Sequence, residues 1–468
     1  MSTRLKLILM GVGVLGLVAA LSAFLLSRVD VKSRFVAMAT EATGLEVVVK
    51  GNVSIRLLPA PHVVLRGVSL RNKSAEIASA GEADIGVEFW PLLRRQVTIS
   101  HVSLRDARFE LERDRAGRFN FAAASRAGRL VPALSLGRVS LTGTSFRYVN
   151  QQTQGEFAGA DCTFEGTHVQ MTGGSSADIM EQLSLSGRIA CAQARNDRFV
   201  GSDVKASITG ERGRFRIEPL TMRIMGGKGS GSVDATFSSR TPVYRIHYAV
   251  AQLHVEELFK FLASERVGDG MLDFAADLSM SGRDAGELTR TASGEASLRG
   301  ENLDIAIGNL DEKLAHYESS QNFNLVDVGA FLIAGPLGTA VTKGRDFASA
   351  LQSTKGDTEI RKLVSQWKVE NGVAHALDVA MATKENRLAM KGGLDFANRE
   401  FADVTVAILD RKGCATVEQR VRGSFSQPEI EKPNVLSSVT GPLTSLVRKG
   451  AKMLGAKCQV FYEGSVQP

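Results

Sequence analysis

Apolar side chains recur at every second position along most of this chain, and that beat leaves few folds open. Val53, Ile55 and Leu57 alternate with Ser54 and Arg56. The same spacing returns in Val97/Ile99, Ala107/Phe109/Leu111, Phe274/Ala276/Leu278/Met280 and Val373/His375/Leu377/Val379/Met381. Leu388/Met390 and Leu394/Phe396 continue it. A period of two places alternate side chains on opposite faces of a strand. Turn formers separate these runs: Lys50-Gly51-Asn52, Arg115-Ala116-Gly117, Glu211-Arg212-Gly213, Glu370-Asn371-Gly372 and Lys391-Gly392-Gly393. The pattern predicts a meandering antiparallel β chain. His375 falls on the apolar side of its run, which predicts a core histidine. Val68-Ser-Leu70, Val102-Ser-Leu104 and Val139-Ser-Leu141 recur at spacings of 34 and 37 residues. That cadence is either a repeated strand unit or coincidence in a chain rich in these residues.

The run Leu7–Leu26, LILMGVGVLGLVAALSAFLL, carries no charge and is bracketed by Lys6 and Arg28. About 20 such residues span a bilayer. A cleaved signal peptide is the competing reading, but Phe24-Leu25-Leu26 continue past the small residues Ala20, Ser22 and Ala23. The expectation is an uncleaved anchor. Gly11-Val-Gly-Val-Leu-Gly16 inside it matches a dinucleotide fingerprint in letters only, since that motif works between a strand and a helix N-terminus. Short helices are expected after Asp30, at Val255/Leu258/Phe259/Leu262, at Leu310/Leu314/Tyr317, around Val326–Leu337, and in a basic amphipathic tail at Leu436–Val447.

Composition excludes some classes. With 44% hydrophobic residues the chain is too apolar for disorder, and its net charge of +7 is diffuse, without the Lys/Arg block that nucleic acid requires. The histidines are scattered, and no HExxH, Walker or GxSxG motif is present. No catalytic residue, metal or cofactor is expected, and the reading is non-enzymatic. The four cysteines, Cys162, Cys191, Cys414 and Cys458, all follow the anchor. Three connectivities are open to them; pairing sequence neighbours gives Cys162 with Cys191 and Cys414 with Cys458, with buried free thiols the alternative. A sheet with one apolar face must bury it against itself, a second sheet or an apolar guest. Aliphatic linings suit acyl chains, each buried methylene contributing about 0.8 kcal/mol.

TGLEVVVKGNVSIRLLPAPHVVLRGVSLRN, Thr43–Asn72, resembles the opening of the AsmA family of bacterial envelope proteins. LVDVGAFLIAGPLGTAVTKGRDFA, GCATVEQRVRGSFSQPEI and the closing CQVFYEGSV resemble its C-terminal region. The resemblance implies a mainly β protein: an N-terminal transmembrane helix, then an elongated antiparallel β-groove, an open half-barrel with a few short amphipathic helices. It implies single-pass anchorage in the inner membrane with the bulk of the chain periplasmic, and a kinship with bridge-like lipid transfer proteins. The corresponding division is a cytoplasmic tip (1–6), the membrane helix (7–26), an N-terminal groove domain (27–300), a C-terminal β region with a helical insertion (301–434) and an amphipathic tail (435–468). The family is associated with outer-membrane biogenesis and phospholipid movement between envelope membranes. Val53, Ile55, Leu57, Leu104, Phe109, Leu111, Leu141, Leu278 and Met280 are then the candidates for lining the groove, or else are ordinary core. Expected partners are phospholipid acyl chains, the membrane and other envelope proteins, not nucleic acid. A scaffold assisting outer-membrane protein assembly is the alternative. A native mass spectrum after gentle detergent extraction separates the two: a groove retains phospholipid, whereas a scaffold emerges lipid-free with envelope proteins attached.

Overall fold

The computed structural model describes residues 32–33, 36–37, 40, 45–56, 60–72, 75–88, 99–116, 119–120, 134–152, 154–172, 179–196, 199–262, 268–305, 309–312, 314, 356–432, 434–435 and 460–467. The expected membrane helix, the stretch Val326–Leu337 and the tail helix at Leu436–Val447 lie outside them. Among the described residues no helix is long and apolar enough to cross a membrane. The chain divides into two compact units: unit 1 holds 1–177 and 185–197, unit 2 holds 178–184 and 198–468.

Unit 1 is built on β1 (Glu46–Val49), β2 (Val53–Arg56), β3 (His62–Asn72), β4 (Ala75–Val87), β5 (Ile99–Arg105), β6 (Arg108–Arg113), β7 (Leu134–Asn150), β8 (Gly155–Met171) and β9 (Leu183–Asn196, in this unit from Leu185). β3 pairs with β1, β2 and β4, β4 with β5 and β6, and β7 with β8, all antiparallel. β5 and β6 both lie parallel to β7, which corrects the expectation of an all-antiparallel chain. Parallel neighbours need a crossover of a dozen or more residues, and 114–133 supplies it. The register of this pairing is the 37-residue cadence. Val102, Ser103 and Leu104 lie opposite Val139, Ser140 and Leu141 in register, and Phe109 lies opposite Phe146.

Unit 2 is an antiparallel meander: β10 (Val200–Glu211), β11 (Arg214–Ile224), β12 (Gly227–Thr236), β13 (Val243–His254), β14 (Gly268–Asp269), β15 (Met271–Ser281), β16 (Ser293–Ile305), β17 (Thr358–Glu370), β18 (Val373–Thr383), β19 (Arg387–Asp395), β20 (Glu400–Leu409), β21 (Ala415–Ser424), β22 (Gln427–Ile430) and β23 (Asn434–Val435). Its helices are α1 (Ile179–Gln182), α2 (Val255–Leu262), where the 3.6-residue spacing predicts one, and α3 (Ala285–Thr291). Cross-strand partners share a face. One such row runs Ile208, Ile217, Val233, Ile246, Leu278, Gly294, Val369, Ala374, Leu394 and Phe401. Its first members are half-buried, whereas Val369, Ala374 and Leu394 are sealed. Around them pack Trp367, Met381, Leu388 and Val406, with Leu310 and Leu314 closing over this core. Trp367 is fully buried and donates its indole N–H to Ser365 Oγ at 2.8 Å.

His375 is exposed, contrary to its predicted place. Ala374 and Ala376 face the core, then the register shifts between His375 and Ala380, and Val379 and Met381 take over the same face. A bulge exchanges the two faces of a strand, so His375 and Leu377 turn outward.

On the reverse side, Val364, Ala380, Ala389 and Ala407 form a cross-strand row of small side chains. Tyr462 and Val466 pack on it. The Tyr462 hydroxyl donates to Asp378 Oδ1, the Ser465 N–H donates to Asp378 Oδ2 at 3.0 Å, and Arg387 Nη1 donates to the Val466 carbonyl at 3.2 Å. The C-terminal segment is thereby clamped down. Burial, then the bond to Asp378, raises the Tyr462 phenol pKa. A raised folded pKa stabilises fully below the ordinary phenol value of about 10 and loses that contribution as pH climbs through the folded value.

Two outcomes follow for chemical denaturation. Trp367→Ala should cost about 3–5 kcal/mol. Wild type should lose stability between about pH 9 and 12, and Tyr462→Phe should lack that component of the loss.

Candidate functional site

The apolar face of unit 1 is assembled by register. Val53, Leu65, Ala83, Leu104, Leu141 and Phe164 are successive cross-strand partners. So are Ile55, Val63, Ile85, Val102 and Val139. The opposite face carries charge: Glu82 sits 3.5 Å from both Arg66 and Arg105, and Glu156 pairs with Arg147 at 2.8 Å.

Left uninterrupted, the two-residue beat of β7 would put Leu141 and Phe146 on opposite faces. Two offsets prevent this. Leu141 faces Phe164, Thr144 faces Cys162 and Phe146 faces Gly159, so β7 gains one residue and β8 then gains one back. The extra residues sit where the backbone is left-handed, at Gly143 (φ 59°) and Asp161 (φ 49°), with Asp106 (φ 50°) beside Gly143. Glycine adopts that region without strain. A Cβ at Gly143 would lie 2.9 Å from Asp106 Oδ1. At Gly159 the reason is close approach, since a Cβ there would lie 2.3 Å from the Phe146 ring. The ring therefore sits directly against β8 at Gly159.

The product is an apolar concavity of about 200 Å³ lined by Phe109, Leu111, Leu141, Thr144, Phe146, Cys162, Phe164 and Ile189. Among the described residues no ionisable side chain lines it. Cys162 and Cys191, 3% and 5% exposed, form a disulfide that ties β9 to β8 and so positions Ile189 as a wall. Thr163 Oγ1 adds a hydrogen bond to the Ala190 carbonyl at 3.4 Å. Cys414 is also disulfide-bonded, so no cysteine among the described residues is free; Cys458 lies outside them. A dry cavity of about 150 Å³ accommodates benzene. By the same scaling this concavity takes a stretch of about eight carbons, worth roughly 6 kcal/mol if fully buried.

Of the groove candidates, Phe109, Leu111 and Leu141 line the concavity. Leu104 lies beside Leu141 on the same face, and Val53 and Ile55 belong to its continuation. Leu57 is outside the described residues. Leu278 and Met280 belong to unit 2, where Leu278 packs on the sealed core and Met280 lies opposite Tyr244. Sequence reasoning did not reach Thr144, Phe146, Cys162, Phe164 and Ile189 as lining. For Phe146 the available signal was the Phe five residues after Leu104 and again after Leu141.

A family model described as the AsmA family matches residues 1–129 and 150–376 of the chain. No curated protein matches, and no solved structure matches.

Replacing Cys162 and Cys191 together by serine should destabilise unit 1 by about 3–4 kcal/mol, as a cross-link over a separation of 29 residues implies. Denaturant unfolding of the double variant against wild type measures it.

Proposed function

Because the chain belongs to the AsmA family, we propose that it binds phospholipid acyl chains along an apolar β-face and helps move them between envelope membranes, supporting outer-membrane biogenesis. Leu7–Leu26 anchors it in the inner membrane, and the remainder works in the periplasm. The observation that carries this reading is the concavity of unit 1: open, walled by aromatic and aliphatic side chains, and backed by a charged face. An apolar pocket without polar fixtures selects hydrocarbon over water. Extracellular-type chemistry supports the compartment, since disulfides persist where the surroundings oxidise.

The half-buried end of the unit 2 row, from Ile208 to Ile246, offers further hydrocarbon-compatible surface. A scaffold for assembling outer-membrane proteins is the second reading. The sealed core around Trp367 favours it, because that part of the sheet has no room for a guest.

Leu111→Arg places an unpaired charge in the concavity, which is costly without a partner. Phospholipid retained by the full chain after mild detergent extraction should fall at least about tenfold. Thr163→Arg, on the other face of β8, should retain it. Undiminished lipid in Leu111→Arg would remove the concavity from the function. For the anchor, deleting residues 1–28 should shift the chain from the membrane pellet to the soluble fraction.

A further inference from the structure

Thr144 is the polar exception in the wall. Its side chain is 3% exposed, its Oγ1 is buried, and that hydroxyl has no hydrogen-bond partner. Thr144 meets the cavity through carbon, and its Oγ1 is buried out of the cavity's exposed surface. Buried hydroxyls ordinarily have a partner, and one without it calls for an explanation. Water explains it poorly, because a buried water needs two to four polar contacts and the lining side chains offer this one. Plain hydrocarbon leaves the hydroxyl as it is. An acyl carbonyl entering the concavity satisfies it: χ1 turns by one staggered well, which brings Oγ1 toward the cavity.

We infer that Thr144 donates a hydrogen bond to the ester carbonyl of the bound chain, so that the concavity of unit 1 holds the ester end of an acyl group and not its methyl end. The inference rests on the reading of the concavity as an acyl-chain site. It names the ligand class more narrowly: ester-linked lipids, in preference to ether-linked lipids of equal length. Thr144 lies opposite Cys162 across the β7–β8 ladder, so the disulfide that fixes β9 also fixes the donor's place in the wall.

The test uses the full chain in mild detergent, incubated with equal amounts of a diacyl glycerophospholipid and its dialkyl ether analogue. Native mass spectrometry reads the ratio retained. Wild type should favour the ester by about tenfold. Thr144→Ser should keep the preference, and Thr144→Val, which matches the shape without the hydroxyl, should bring the ratio near one. A lipid labelled with ¹³C at the carbonyl adds a reading specific to this site: a red-shifted carbonyl band in wild type that disappears in Thr144→Val. Equal retention by wild type, or an ester preference that survives in Thr144→Val, overturns the inference while leaving the acyl-chain reading intact. Retention of neither lipid by wild type overturns the acyl-chain reading itself. If Thr144→Val binds neither, Thr144→Ser decides: wild-type preference supports the hydroxyl's role, and loss of preference overturns it.

Discussion

A side chain on a strand has two directions open to it, and each inserted residue exchanges them. The structure depends on where those exchanges fall. In β7 and β8 two offsets cancel, and the aromatic side chains remain together on one face. In β18 a single offset moves the core-facing set from even to odd positions, so Ala374 and Ala376 and then Val379 and Met381 share one side. Left-handed residues mark many of these points, and glycine or aspartate occupies the ones beside the concavity.

Much of the fold was readable because strand alternation and turn chemistry are local. Phe109 and Leu111 alternate with Arg108, Glu110 and Glu112, and the concavity uses them as that pattern implied. Phe146, Phe164 and Ile189 were not readable as lining. Their place depends on pairing between strands far apart in sequence and on bulges that carry no strong composition signal. His375 failed for the same reason, since an alternation drawn through a bulge assigns the wrong face beyond it. The helix α3, which the sequence reading did not expect, starts on local bonds: Asp284 Oδ1 accepts the Glu287 N–H at 2.9 Å, and Glu287 accepts the Arg283 N–H at 2.8 Å. This resembles a capping box, except that the returning carboxylate takes the N–H of the residue before the cap.

The two units treat the same problem differently. Strands β17–β21 in unit 2 carry buried residues on both faces, one set under Trp367 and its neighbours and the other under the C-terminal segment. Small side chains make the second burial possible, because a row of alanines admits Tyr462 and Val466 at close range. The face of β6–β9 in unit 1 instead ends in a recess, with aromatic rings standing around it and a disulfide behind it.

The side-by-side pairing of Val102-Ser-Leu104 with Val139-Ser-Leu141 has an evolutionary implication. Two segments that lie shoulder to shoulder, pointing the same way and each with a left-handed residue at the same step, behave as a tile. Duplicating such a tile widens the sheet without inverting any residue's outlook, so a lineage can add or shed width in whole tiles while the chemistry of each side is inherited unchanged.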